Sequence, residues 1–257
     1  MALEPWRIAK VVKIEQQTKT TRRFFFVIPE LERFDFKPGQ FVTLDLPIHE
    51  KPNKRWRSYS ISSWPNATNQ FELCIVLLQN GAGTNYLFNQ VEVGTEISFR
   101  GPAGVFTLPD QFQKDVFLIC TGTGIAPFRS MIHHIVNERI AHKKIHLIFG
   151  CRHFGDLLYA EEFLELMKLD PDFYFYTAFS REQMSEVSRY RKSGYVHEIY
   201  EDICKTMDTE ETRQNGNNGP HPANFYLCGW RGMVDEAKDR ILQLGYDHKS
   251  VHLEIYG

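Results

Sequence analysis

Two short stretches of this chain carry residue types suited to holding flat, phosphorylated groups. Arg57-Ser58-Tyr59-Ser60 supplies a cation, an aromatic ring and hydroxyls. The planar fork of Arg57 suits a pyrophosphate, the ring of Tyr59 can pack on a flat heterocycle, and the hydroxyl of Ser60 can donate to or accept from a ring nitrogen. On a regular strand Arg57 and Tyr59 share one face. Thr121-Gly122-Thr123-Gly124-Ile125-Ala126-Pro127 follows the apolar run Val116–Cys120 and has the form of a glycine-rich turn between a strand and a helix. Gly122 and Gly124 permit close backbone approach, and the helix that follows turns its N-terminal donors toward an anion. Two such stretches point to two adjacent cofactors, and so to electron transfer rather than binding alone.

Four further stretches bear on the same chemistry. Gly81-Ala82-Gly83-Thr84 combines small residues and a hydroxyl at the start of a helix-like segment, a second anion cradle or a plain turn. Ser180-Arg181-Glu182-Gln183 ends an apolar run, and Ser180 with Arg181 suits the phosphomonoester that separates NADP from NAD, the alternative being a basic surface loop that also takes in Arg189. Cys228-Gly229-Trp230-Arg231-Gly232-Met233 ends another run; Cys228 is either a thiol beside a reacting ring or a buried inert one, and no adjacent His or Lys activates it as a nucleophile. Glu254-Ile255-Tyr256 closes the chain before Gly257, where an acid could relay protons and an aromatic could cover a flat cofactor. The Thr121 turn is not the G-x-G-x-x-G fingerprint, and Gly150-Cys151-Arg152 stands where an acidic residue would end the next strand.

The elements that must position these residues fall into two blocks. Up to about residue 110 the chain reads as short strands (Arg7–Ile14, Thr21–Ile28, Gln40–Leu46, Ser58–Ser62, Phe71–Leu78 and Glu96–Arg100) punctuated by Pro38-Gly39, Asn80-Gly81 and Gly101-Pro102. That pattern predicts an antiparallel β-barrel over 1–110. From Pro109 onward continuous apolar runs alternate with helical patterns, which predicts a parallel sheet with helices on both faces over 111–257. The polar stretch Thr206–Asn224 reads as a loop.

Bulk properties narrow the function classes. The 257 residues are 42% apolar and 24% charged, ordinary for a soluble protein. The five cysteines form no C-x-x-C pair, which argues against zinc or iron–sulfur ligation and for free thiols in the cytoplasm. No apolar run spans a bilayer, and no signal-peptide core opens the chain. Net charge is −2, against nucleic acid as a partner. Residues 1–60 nevertheless hold 12 Lys and Arg against 7 Asp and Glu, a basic bias suited to an acidic protein partner.

Taken in order, Arg57-x-Tyr59-Ser60, Gly83-Thr84, Gly122–Pro127, Ser180–Gln183, Cys228-Gly229-x-x-x-Met233 and Glu254-x-Tyr256 resemble the ferredoxin–NADP(H) reductase superfamily over nearly the whole chain. The resemblance implies an N-terminal barrel binding FAD, a C-terminal α/β domain binding NADP(H), and electron delivery to a small acidic carrier such as ferredoxin or flavodoxin. It implies that Arg57 holds the FAD pyrophosphate, Tyr59 and Tyr256 pack on the flavin, Ser60 bonds its N5 edge, and Gly83 and Thr84 meet FAD phosphate. It further implies that Thr121, Gly122, Thr123, Gly124 and Pro127 form the NADP pyrophosphate turn, that Ser180 and Arg181 meet the 2′-phosphate, and that Cys228, Gly229 and Glu254 flank the nicotinamide. Ser60, Cys228 and Glu254 are then the expected catalytic residues. An NADH-dependent reductase of an oxygenase and a flavin-binding redox sensor or electron-transfer subunit are the alternatives.

Overall fold

A computed structural model describes residues 4–183, 188, 190–215 and 219–256, with side chains except over 209–215. Arg189, Gly257 and residues 216–218 of the expected loop lie outside the described residues. The chain divides into two units. One runs to Leu108 and adds Ala126–Glu138; the other comprises Pro109–Ile125 and the chain from Arg139 onward.

The first unit is antiparallel. Its strands are β1 (Arg7–Thr18), β2 (Thr21–Val27), β3 (Phe41–Asp45), β4 (Trp56–Ser60), β5 (Gln70–Val76) and β6 (Glu96–Ala103), in the order β4-β3-β6-β1-β2-β5. The strands at the two ends of that order meet through the Ile61–Leu73 bridge and the Ser62 N–H, which donates to the Glu72 carbonyl at 2.8 Å. The sheet therefore curls on itself, covering edges that would otherwise expose unpaired backbone. Aromatic side chains fill the interior: Phe26 stacks on Phe71 at 4.9 Å, and Phe34 and Phe99 pack edge to face at 5.9 Å. Helix α1 (Ala82–Asn89) seats Leu87 and Phe88 in the same core.

The long helix α2 (Ile125–Glu138) begins directly after the glycine-rich turn, yet its body counts with the barrel. Phe128 packs on Phe106 at 5.9 Å, Arg129 reaches Ser62 and Glu72, and His133 stacks on Trp64 at 3.9 Å.

The second unit is a parallel sheet of β7 (Asp115–Thr121), β8 (Ile145–Cys151), β9 (Phe173–Phe179), β10 (Arg191–Ser193), β11 (Ala223–Trp230) and β12 (Val251–Tyr256), in the order β10-β9-β8-β7-β11-β12. Six consecutive residues of β7 and of β8 are buried, the mark of strands covered on both faces. Helices α3 (Ala160–Leu169), α4 (Val196–Asn215) and α5 (Arg231–Gln243) are the other crossovers. Because β8 to β10 lie on one side of β7 and β11 to β12 on the other, the chain reverses direction across the sheet between β7 and β11. The crevice at that switch point, beyond the strands' carboxyl ends, is where open α/β sheets bind ligands.

The expectation of a loop from Thr206 is corrected here. Helix α4 continues to Asn215. Buried Cys204 and Met207 anchor its inner face, and the sequence that suggests a loop also contains good helix formers.

Candidate active site

The barrel contributes one cluster. On β4, Tyr59 lies opposite Val42 and Arg57 opposite Leu44, so both share a face, while Ser58 on the other face bonds Thr43 at 2.9 Å between hydroxyls. Arg57 Nη1 donates to the carbonyls of Lys54 at 3.0 Å and Trp56 at 2.8 Å, which fixes the direction of its fork. Gly83 brings the start of α1 onto this side chain: a Cβ there would stand 2.9 Å from Arg57 Cγ. Arg57 and the small-residue turn are thus brought together by the fold. The Thr84 hydroxyl accepts from the Leu78 N–H at 3.1 Å and stays within the turn. What the turn offers an anion is the backbone N–H groups of the first helical residues, which have no partner inside the helix. Burial pushes the Tyr59 phenol up in pKa, with Arg57 pulling the other way, so its hydroxyl stays neutral. Ser60 is buried at the end of the strand.

The parallel sheet contributes a second cluster at its switch point. Thr121 ends β7, and Gly122–Gly124 forms a single tight turn with Gly122 at φ +54°. A Cβ on Gly124 would stand 2.3 Å from the Cys228 carbonyl oxygen, and one on Gly229 would stand 2.5 Å from Thr121 Oγ1. The two glycines let the ends of β7 and β11 meet backbone to backbone. The Thr121 hydroxyl is buried there without a hydrogen-bond partner among the described residues, a cost usually offset by a ligand or water. Pro127 sits in the first turn of α2, where its missing N–H costs nothing.

Cys228, Glu254 and Tyr256 come together beside this turn. In the β11–β12 register Cys228 faces Glu254, and Trp230 faces Tyr256. Burial raises the Cys228 thiol well above its ordinary pKa, and the Glu254 carboxylate adds to the rise; a hydrogen bond with Tyr256 opposes it. These causes favour the neutral thiol over the thiolate that a nucleophile needs. Cys228 is a small polarisable group, buried, with a carboxylate alongside.

The third cluster lies at the ends of β8 and β9. The Ser180 N–H donates to the Cys151 carbonyl at 3.0 Å, and the Arg181 N–H to the Arg152 carbonyl at 3.0 Å. Two exposed arginines, Arg152 and Arg181, thus leave adjacent strands side by side. His153 pairs with Glu182 at 3.2 Å on the same rim. Arg152 belongs to no motif of its own, and the signal for it in the sequence is the absence of an acidic residue at that strand end. Among the described residues no group of three or more His, Cys, Asp and Glu is placed to hold a metal ion, and no helix is long and apolar enough to cross a membrane.

Comparison with known proteins agrees with this layout. Residues 8–108 match the oxidoreductase FAD-binding domain, and residues 118–239 match the oxidoreductase NAD-binding domain. Ferredoxin–NADP reductase B of Sorangium cellulosum is 29% identical, the alignment covering 98% of each chain. The reductase component of propane 2-monooxygenase from Mycolicibacterium goodii is 33% identical over 89% of this chain but only 61% of its own length. The reductase subunit of glycine betaine monooxygenase from Chromohalobacter salexigens is likewise matched over 63% of its length, so the chain spans about three-fifths of these oxygenase relatives. Among solved structures, a ferredoxin–NADP reductase of Neisseria gonorrhoeae with bound FAD and NADP superposes with a TM-score of 0.75 at 25% identity, covering 97% of this chain and 98% of that one. A cytochrome P450 reductase of Amycolatopsis shares the fold with a TM-score of 0.80 at 23% identity, over 99% of this chain and 71% of the other.

Proposed function

Because the chain belongs to the ferredoxin–NADP(H) reductase superfamily of FAD- and NAD-binding oxidoreductases, we propose that it is a reductase passing electrons from NADPH through FAD to a one-electron carrier protein such as ferredoxin or flavodoxin. Bound FAD supplies the conversion between two-electron and one-electron chemistry. The residues present fit both cofactors. Arg57 lies against the start of α1, whose first N–H groups are donors suited to the same anion. The glycine-lined meeting of β7 and β11, with the buried hydroxyl of Thr121, leaves backbone surface open to a pyrophosphate.

In this reading Arg57, Gly83 and Thr84 hold the FAD phosphates, while Tyr59 and Tyr256 present rings to the flavin and Ser60 holds its N5 edge. Thr121 to Gly124, with Pro127 and Gly229, binds the dinucleotide pyrophosphate. Cys228 presents a neutral surface to the nicotinamide, and Glu254 exchanges protons with solvent. Chain segments 1–110 and 111–257 act as the FAD and NADP(H) domains.

The observation that carries the choice of NADPH is the backbone pairing of Arg152 and Arg181 just beyond adjacent strands, with Ser180 directly before Arg181 and no acidic residue closing β8. A ribose 2′-hydroxyl is read by an acid at that place, and a 2′-phosphate by guanidinium forks. The full-length match to a ferredoxin–NADP reductase supports a separate carrier as acceptor. The matches to oxygenase reductases favour a second reading, an NADH-dependent reductase serving an oxygenase. Steady-state kinetics with both nucleotides separate the two. We expect kcat/KM to favour NADPH, and Arg152→Ala and Arg181→Ala each to lower it for NADPH about tenfold, one charge-assisted hydrogen bond's worth, with NADH unaffected. Equal use of NADH by the wild type would move the assignment to the second reading. Bound FAD reduced by neither nucleotide would point to a redox sensor or an electron-transfer subunit.

A further inference from the structure

Arg129 lies one turn into α2 and is 4% exposed, an unusual place for a guanidinium. Its Nη1 donates to the Ser62 carbonyl at 2.9 Å and to Glu72 Oε2 at 3.1 Å. Glu72, also buried, accepts from Arg23 Nε at 2.8 Å and Nη2 at 2.7 Å, and from the Ser62 hydroxyl at 3.0 Å. The guanidinium of Arg129 lies over the ring of Trp64, 5.2 Å from its centroid, and His133 stacks on the same ring at 3.9 Å and 12°.

Burying Arg129 and Glu72, with Arg23 half-buried, costs much desolvation, and apolar side chains of the same size would stabilise a barrel as well. The network does something that apolar packing cannot, because it holds one residue, Ser62, by its N–H, its carbonyl and its hydroxyl at once. The Ser62 N–H is taken by the Glu72 carbonyl, its carbonyl by Arg129 and its hydroxyl by Glu72. Ser62 stands two residues beyond Ser60, and between them Ile61 bridges Leu73 and donates its N–H to the Gln40 carbonyl at 3.0 Å. The segment from Ser62 to Ser60 is short and held at each residue, so a shift of Ser62 is passed along it to Ser60.

We propose that Arg129 is a positioning residue for the flavin. Through the Ser62 carbonyl it fixes the exit of β4, and so the hydroxyl of Ser60 at the flavin edge. The inference rests on the reading of Ser60 as a flavin contact and of NADPH as the donor.

The test uses FAD-loaded protein carrying Arg129→Gln, which removes the charge, and Arg129→Lys, which keeps the charge but not the fork. Val91→Ala, a cavity in the barrel core outside the network, controls for plain loss of stability. FAD content, Tm, the visible circular dichroism of the bound flavin, and anaerobic reduction by NADPH and by dithionite are measured for each. Arg129→Gln should alter the flavin circular dichroism and slow the limiting rate with NADPH about tenfold, while reduction by dithionite, which needs no alignment, stays within about twofold. Arg129→Lys should be intermediate, slowing the NADPH rate about threefold with a smaller change in the dichroism. Val91→Ala should lower Tm without changing either rate or the dichroism. If Arg129→Gln fails to retain FAD, Arg129→Lys decides, and wild-type dichroism with a wild-type rate in it overturns the proposal. An equal slowing by Val91→Ala overturns it as well. A wild-type protein that NADPH does not reduce at all would sink the underlying reading, an outcome distinct from a variant that reduces normally.

Discussion

At the scale of single residues, the thiols show how burial decides chemistry. Cys228 sits where a reactive cysteine would be well placed, beside Glu254 and Tyr256 at the end of β11. Its environment selects the neutral form: burial and the adjacent carboxylate both disfavour a thiolate. Cys120, across the β7–β11 register, is raised by burial as well, and half-buried Cys151 is pushed up to about 12 by burial and by Asp156 and Glu182. The sign of the pH dependence follows. Alkylation needs the thiolate, whose population at a pH below the raised value falls tenfold per pH unit. At pH 8 the thiolate of Cys151 is then on the order of one part in ten thousand. Native protein treated with iodoacetamide at pH 8 should label at none of these three cysteines on the timescale that labels all five in denaturant. Rapid native labelling of Cys228, read by mass spectrometry, would show that the site opens or that its thiol is activated.

At the scale of elements, the crossing of β7 and β11 is the feature that most depends on residue size. A methyl group on Gly124 would lie 2.3 Å from the Cys228 carbonyl oxygen, and its neighbours there are backbone atoms that cannot rotate away. Gly124→Ala must therefore push the two strand ends apart, at a cost of about 1–3 kcal/mol. We expect a lower Tm together with weaker NADP+ binding by calorimetry, whereas Gly155→Ala, with nothing near its Cβ, should change neither. The glycines of this turn were legible from sequence because they lie in one short motif after an apolar strand. The barrel strands were legible for a similar reason, being bounded by Pro-Gly and Asn-Gly turns. Other features were not, and each has a long-range cause. Strand β10 is three polar residues, Arg191–Ser193, that take their conformation from pairing with β9. The second half of α4 is polar in sequence, and the helix is anchored by buried Cys204 and Met207, which only the folded sheet covers. The partnership of Arg152 with Arg181 needs the β8–β9 pairing, and that of Arg129 with Glu72 joins residues 57 apart in the chain.

At the scale of the whole molecule, charge is distributed unevenly along the chain, and that bears on how an acceptor is found. Residues 1–60 carry 12 basic and 7 acidic side chains, while the molecule as a whole is at −2. Several of the cations are already committed: Arg7 to Glu30, Arg23 to Glu72 and Arg55 to Asp45. Others stand on the exposed surface of the barrel unit, among them Lys10, Lys19, Lys51 and Lys54. Exposed charges of this kind add little to stability, but they raise the encounter rate with an oppositely charged protein. Long-range steering is lost as the Debye length shrinks from roughly 30 Å at 0.01 M salt to roughly 8 Å at 0.15 M. With an acidic ferredoxin or flavodoxin as acceptor, kcat/KM for the carrier should fall about tenfold over that range. Under the same conditions kcat/KM for a neutral quinone acceptor should stay nearly flat, which separates steering from any effect of salt on the flavin itself. Charge reversal at Lys51 and Lys54 to Glu should flatten the carrier's dependence and leave the quinone's as it was. A carrier rate indifferent to salt in the wild type would mean that the basic bias of residues 1–60 is ordinary solvated surface, and that the acceptor is recognised by contact rather than by field.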